Sequence, residues 1–154
     1  MGLVSNLLES KGSDVYLIDS NATVFTALEE LAKYDVGALV VTDKDGKIAG
    51  IFSERDYARK VTLLGKSSKK TKVKEMMTTT VFYVKRENYL RECLELMTKK
   101  RTRHLPVMEN DKLVGLVSIG DIVNRIITEQ KTKIHDLESY IVGSDYGSEI
   151  KLPD

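Results

Sequence analysis

The sequence predicts an α+β fold in which two β-α-β-β-α repeats pack by pseudo-twofold symmetry. Three observations carry this. The stretch "GIFSERD" (50–56) returns as "GLVSIGD" (115–121): glycine, two apolar residues, serine, two residues, aspartate. Its flanks align, Leu28 with Leu94 and Leu39 with Leu105, and one residue out of step after the turn, Gly50 with Gly115 and Asp56 with Asp121. Each copy also switches between helical and strand periodicity in the same order. The step falls between "DKDGK" and "ENDK", where a hairpin loop tolerates a change of length. The chain therefore divides into repeat one (8–65), a basic linker (66–73), repeat two (74–131) and a C-terminal extension (132–154).

The elements follow in order. "DVYLI" (14–18) predicts a short apolar strand. Val24, Ala27, Leu28 and Leu31 share one helical face, so a helix is expected over 22–34, with Thr23 or Asn21 as its cap. "ALVVTD" reads as a buried strand, "DKDG" as a turn and "KIAGIF" as the hairpin partner. "ERDYARKVTLL" supplies the closing helix. In the second copy "TVFYV" (80–84), a helix from about Asn88 to Lys100, "LPVMEN", "KLVGLV" and "IGDIVNRIITEQ" take the same parts. Pro106 is expected at a strand's first residue, where no ladder donor is lost. One such unit is marginal alone, so the two are expected to bury one continuous core.

Composition narrows the function classes. Apolar residues make up 42% and charged residues 31% of 154, and 24 Lys and Arg oppose 23 Asp and Glu, a net charge of +1. No global field recruits nucleic acid or an acidic membrane; "GKSSKKTKVK" (65–74) reads as a solvated linker. Cys93 is the only cysteine, which excludes an intrachain disulfide and a Cys-based metal cluster; Leu90, Leu94 and Met97 share its helical face, so burial is expected. His104 and His135 cannot build an HExxH site. No apolar run approaches the ~20 residues of a membrane helix, no signal-peptide core opens the chain, and Asn6 stands where a myristoylation signal wants Ser or Thr. A cytoplasmic protein is the expectation.

The doubled signature has two readings. Ser53 and Ser118 are good N-caps, and Asp56 and Asp121 fall at the third helical position of a capping-box pattern. Capping does not account for Gly50 and Gly115, since glycine in a strand often marks close approach by a ligand or another backbone. A helix N-terminus suits a phosphate, and a carboxylate one turn in can accept from the two hydroxyls of a ribose. Together these suit a ribonucleotide. Catalysis is not expected: a serine nucleophile with His104 as base needs an elbow such as G-x-S-x-G, and neither "GIFSE" nor "GLVSI" has the second glycine.

The duplicated unit, the two signature endings and the "RHLPVMEN" strand resemble the CBS domain, named for cystathionine β-synthase, over roughly residues 14 to 130. The resemblance implies a disk-like pair whose cleft binds an adenosine ligand such as AMP, ATP, NAD or S-adenosylmethionine, with the signature aspartate on the ribose. It implies one cavity from Ser53, Arg55, Asp56, Phe82, Tyr83, Thr102, Arg103, His104 and Pro106. The pseudo-symmetric cavity would use Ser118, Gly120, Asp121, Val15, Tyr16, Val36, Gly37 and Ala38. Arg103 matches Gly37 and Arg55 matches Gly120, so the cavity with Asp56 and Arg103 is expected to favour phosphate charge. Arg103 could instead pair with Glu109, and Tyr57 and Arg59 read as exposed helix residues that could touch a larger ligand. The expected function is a non-catalytic adenosine-nucleotide sensor acting on an unknown effector protein in trans, with a ligand-independent dimerisation scaffold as the alternative. A homodimer is expected through Leu63, Leu64, Ile126 and Ile127, and Ile134, Leu137 and Ile141 could extend that stripe before a loop from Gly143.

Overall fold

The first element is one the periodicity reading passed over. Residues Val4–Lys11 form a helix, α1, with Val4, Leu7 and Leu8 buried. The Leu3 N–H donates to Asn6 Oδ1 at 2.9 Å and so holds its start. The computed structural model describes residues 2–138 and 151–153, with side chains of the final helix described to residue 131. The proposed stripe through Ile134, Leu137 and Ile141 and the loop from Gly143 lie outside the described side chains.

In repeat one, β1 (Leu17–Asp19) runs parallel to β2 (Ala38–Thr42), and β2 pairs antiparallel with β3 (Ile48–Ser53). Between β1 and β2 lies α2 (Val24–Tyr34), where the expected cap is present: Thr23 Oγ1 accepts from the Thr26 N–H at 3.1 Å. The strand expected over 14–18 is shorter and later. Its first ladder pair is Leu17 with Val40, two residues into β2, and ahead of it only the Tyr16 carbonyl is still engaged, by the Val40 N–H. The helix expected after the signature is a single turn, α3 (Glu54–Asp56), continuing as a π-helix over Tyr57–Thr62.

Repeat two opens with α4 (Val73–Met76), then α5 (Leu90–Lys100), the hairpin β4 (His104–Glu109) and β5 (Lys112–Ser118), and the long α6 (Ile119–Glu138). The strand expected over 80–84 survives only as a parallel bridge between Val84 and Val107. The cause is Pro106, which stands third in β4 rather than first. In repeat one the Val40 N–H donates to the Tyr16 carbonyl at 3.1 Å. Pro106 aligns with Val40 and has no N–H, so the equivalent bond to the Phe82 carbonyl cannot form.

The expected single core is two. One buried cluster joins Ile18, Val24, Leu31, Leu39, Phe52 and Val61 with Val73 of α4; the other joins Leu90, Cys93, Met97, Leu105, Val117 and Ile122 with Val4, Leu7 and Leu8 of α1. Each core is thus sealed by the helix at the entrance to the other repeat. Equivalent backbone bonds clasp both: Val4 N–H to the Asn88 carbonyl at 2.9 Å and Leu90 N–H to Gly2 at 2.9 Å, against Val73 N–H to Ala22 at 2.8 Å and Val24 N–H to Thr71 at 2.8 Å. Burying three aliphatic side chains contributes roughly 1.5–3 kcal/mol each, which makes α1 a structural half of repeat two.

The exchange also accounts for the signature glycines. A Cβ on Gly50 would lie 2.6 Å from the Thr78 carbonyl oxygen, and one on Gly115 would lie 2.8 Å from Leu8 Cδ2. Close approach is indeed their role, but by the exchanged segment rather than by a ligand.

Candidate functional site

Both signatures end in the same short device. Ser53 N–H donates to Asp56 Oδ2 at 3.0 Å while Asp56 N–H donates to Ser53 Oγ at 3.2 Å. Ser118 and Asp121 repeat this at 3.0 and 3.1 Å. The capping reading therefore holds, and the carboxylates have a further oxygen or lone pair to spare. Asp56 is buried, and its Oδ1 accepts from Thr78 Oγ1 at 2.9 Å and faces Lys60 Nζ at 3.0 Å. Asp121 is half-buried and is covered by Lys11 of α1, whose Nζ lies 2.8 Å from Oδ2.

A cavity of about 700 Å³ opens over the first signature. Arg55, Arg59 and Lys60 reach it from the π-helical side, and Lys100, Arg101 and Arg103 from the end of α5, against Glu54 and Asp56. Arg55 spans the halves, its Nη1 donating to the Arg101 carbonyl at 3.4 Å. The Lys100 ammonium lies 5.0 Å from the Phe82 ring centroid, within cation–π range. A second cavity, about 350 Å³, opens over Ser118 and Asp121. Asp14, Asp35 and Asp121 oppose Lys11 there, and Tyr16 stacks on Tyr34 with centroids 4.0 Å apart.

The CBS domain family model matches the chain twice, over residues 9–62 and 73–128. The chain belongs to the CBS-domain family. It is 37% identical over 149 residues to the CBS domain-containing protein CBSX3, mitochondrial, of Arabidopsis thaliana, covering 91% of this chain and 72% of that protein. The solved structure of a protein with CBS domains from Burkholderia ambifaria MC40-6 shares 46% identity at a TM-score of 0.80, over 83% of this chain and 96% of the other. The CBS domain pair of protein MJ0100, solved in complex with 5′-methylthioadenosine and S-adenosyl-L-methionine, has the same fold at 24% identity and a TM-score of 0.71, over 85% and 99%. CBS pairs are generally regulatory modules. Among the described residues no helix is long and apolar enough to cross a membrane.

The CBS pair brings together Ser53, Arg55, Asp56, Phe82, Thr102, Arg103 and His104 in the first cavity, as the resemblance implied. Tyr83 and Pro106 stand outside it, in a separate groove with Ile48 and Met108. Alternation along an extended segment sends Phe82 one way and Tyr83 the other. In the second cavity Ser118, Asp121, Tyr16, Val36, Gly37 and Ala38 meet, whereas Val15 turns to the opposite face and Gly120 does not line it. Arg55 and Arg103 both line the first cavity. Arg103 does not pair with Glu109, which Arg86 holds at 3.0 Å. Arg59 is an exposed helix residue, as expected, and lines the cavity, whereas Tyr57 is half-buried against the first core.

Sequence reasoning missed Lys60, Thr78, Lys100 and Arg101 in the first cavity and Lys11, Asp14, Tyr34 and Asp35 in the second. The aligned pairs Lys100/Tyr34 and Arg101/Asp35 were open to the repeat comparison, three and two positions before Arg103/Gly37. Lys11 and Thr78 required the exchanged segments. Cys93 is buried as expected, and desolvation together with the Glu92 charge pushes its thiol up to about 11, an unreactive state.

Proposed function

We propose that this CBS pair is a non-catalytic regulatory sensor that binds a phosphorylated adenosine ligand, of the AMP, ATP or NAD class, and acts on an effector protein in trans. The observation that carries the reading is the first cavity: six cationic side chains converge on a signature carboxylate in a space of about 700 Å³. Arginine and lysine there suit the phosphates, and Asp56 suits the ribose. Ribose hydroxyls would take the place of the Lys60 ammonium on Oδ1, freeing that lysine for a phosphate. The relative solved with two adenosine-containing ligands supports the ligand class. Its sulfonium ligand suits the more acidic second cavity.

Calorimetry with AMP and ATP tests this. Asp56→Ala and Asp121→Ala should each weaken binding at their own cavity by about 1.5–3 kcal/mol, the worth of a charged hydrogen-bond set. Saturating ligand should also raise the melting temperature by mass action. Unchanged affinity in the double variant would remove the proposal, and no thermal shift with any adenosine ligand would favour the scaffold.

The same reading includes a homodimer. Leu63 and Leu64 are 77% and 63% exposed and Ile127 is 47% exposed, while Ile126 packs against the second core and leaves the expected stripe. A scattering mass near 17.3 kDa would count against the dimer. The reading keeps the protein in the cytoplasm; one relative's name carries a mitochondrial label, and cell fractionation separates the two.

A further inference from the structure

The two cavities share a wall. His104, the first residue of β4, lines both, and so does Gly37. The imidazole lies over the glycine, where a Cβ would sit 3.4 Å from Nε2. In the repeat alignment Arg103 and His104 correspond to Gly37 and Ala38, so one imidazole, not two, stands between the cavities.

The charges around the ring come from both halves. Arg103, just before the strand, and Lys11 of α1 oppose a positive ring, while Asp121 of α6 and Asp56 of α3 favour one. Arg55, Lys60, Lys100 and Arg101 stand further round the first cavity with Glu54; Asp14 and Asp35 stand round the second. Desolvation outweighs the two carboxylates and holds His104 below the ordinary imidazole value of 6.5, so the ring is neutral near pH 7. An entering phosphate adds negative charge beside the ring from either side and favours the imidazolium.

We propose that His104 serves both cavities from the wall between them, taking up a proton when a phosphorylated adenosine ligand fills either one. The inference rests on the nucleotide reading above. Its consequence is a link between the sites: the imidazolium created by a ligand in one cavity faces the other, where it favours an anionic second ligand and disfavours a cationic one. The sign follows from linkage. The ring binds protons more tightly in the complex, so affinity rises as pH falls through the window between the free and bound midpoints.

The chain has two histidines, so proton NMR resolves the ring directly, with His104→Gln assigning its resonance. With saturating AMP the His104 midpoint should move to higher pH. AMP affinity should rise, as pH falls from above the bound midpoint to below the free one, more steeply in the native chain than in His104→Gln, by about tenfold for each pH unit by which the midpoint moves. The midpoint should move in both Asp56→Ala and Asp121→Ala, each of which leaves one signature carboxylate intact. An unmoved midpoint with AMP demonstrably bound overturns this inference alone, and movement in only one of the two variants overturns the shared role. No AMP binding at any pH overturns the nucleotide reading and this inference with it. Should His104→Gln fail to fold, the titration of the native chain decides, with His135→Gln assigning the other ring.

Discussion

The two cavities are built on the same backbone and carry opposite chemistry. Lys100 and Arg101 border the first where Tyr34 and Asp35 border the second. Arg103 stands against Gly37, and Arg55 against Gly120. Phe82 holds an ammonium over its ring where Tyr16 stacks on a phenol. The signature serine and aspartate, by contrast, make the same reciprocal bonds in both halves, within 0.1 Å. What duplication holds constant is the capped carboxylate; what it leaves free is the turn after α2 and α5, where Asp35, Arg101 and Arg103 border the cleft and only Val36 packs against a core. A site's charge can therefore be rewritten without disturbing the fold.

The largest effect should come from rewriting it deliberately. Lys100→Tyr, Arg101→Asp and Arg103→Gly together give the first cavity the residues of the second. Arg101 and Asp35 both hold left-handed backbone, φ 53° and 51°, so the aspartate meets a conformation that its counterpart already adopts. Three charge-assisted contacts at about 1.5–3 kcal/mol each should cost ATP at least about a hundredfold in affinity. The remaining binding should lose most of its salt dependence. Calorimetry at low and high salt measures both, and native affinity in the triple variant would show that these side chains do not distinguish the cavities.

A smaller contrast separates the two signature glycines. The Gly50 neighbour is a backbone carbonyl, Thr78 O at 2.6 Å, itself paired with the Ile51 N–H at 3.0 Å. The Gly115 neighbour is the flexible end of Leu8. Gly50→Ala should destabilise by about 2–3 kcal/mol and Gly115→Ala by about 1 kcal/mol, the two ends of the usual overpacking range. Urea midpoints would show it. Equal losses would mean that α1 is held as rigidly as the Thr78 strand contact.

Repeat order, helix faces, hairpins and the signature pair were legible because each writes a period or an in-register match into the chain. Strand lengths were not, because they depend on partners: one missing N–H at Pro106 dissolves the counterpart of β1. The two-core arrangement was hidden for another reason. Leu3, Val4, Leu7 and Leu8 do carry helical spacing, but nothing local says that their face belongs to the later repeat. The same exchange hid Lys11 and Thr78, so the contacts to both carboxylates were read incompletely. Arg103 and Arg55 were legible as an asymmetry; their shared cavity depended on side-chain reach.

The smallest effect concerns the lysine over Asp121. Burial raises that carboxyl, but hydrogen bonds from Lys11 and from the Ser118 backbone and hydroxyl, together with the Lys11 charge, outweigh it and leave the group below 3.8. A depressed folded value contributes stability that is present above the unfolded value and is lost as pH falls through the folded one. Lys11→Met keeps the stem against α1's neighbours and removes the cation. It should cost on the order of 0.5–1 kcal/mol near neutral pH, the worth of a partly exposed ion pair, and nothing once acid has protonated the carboxylate. Lys60→Met at the other cavity should cost less, because Asp56 keeps Thr78 on the same oxygen. Uncovering Asp121 should also let uncharged adenosine reach it without displacing an ammonium, and its affinity should rise where Lys60→Met changes little. Denaturation of both variants at neutral and acid pH separates the contributions: a Lys11→Met deficit that persists in acid would place its origin in the packing of α1 rather than in the ion pair.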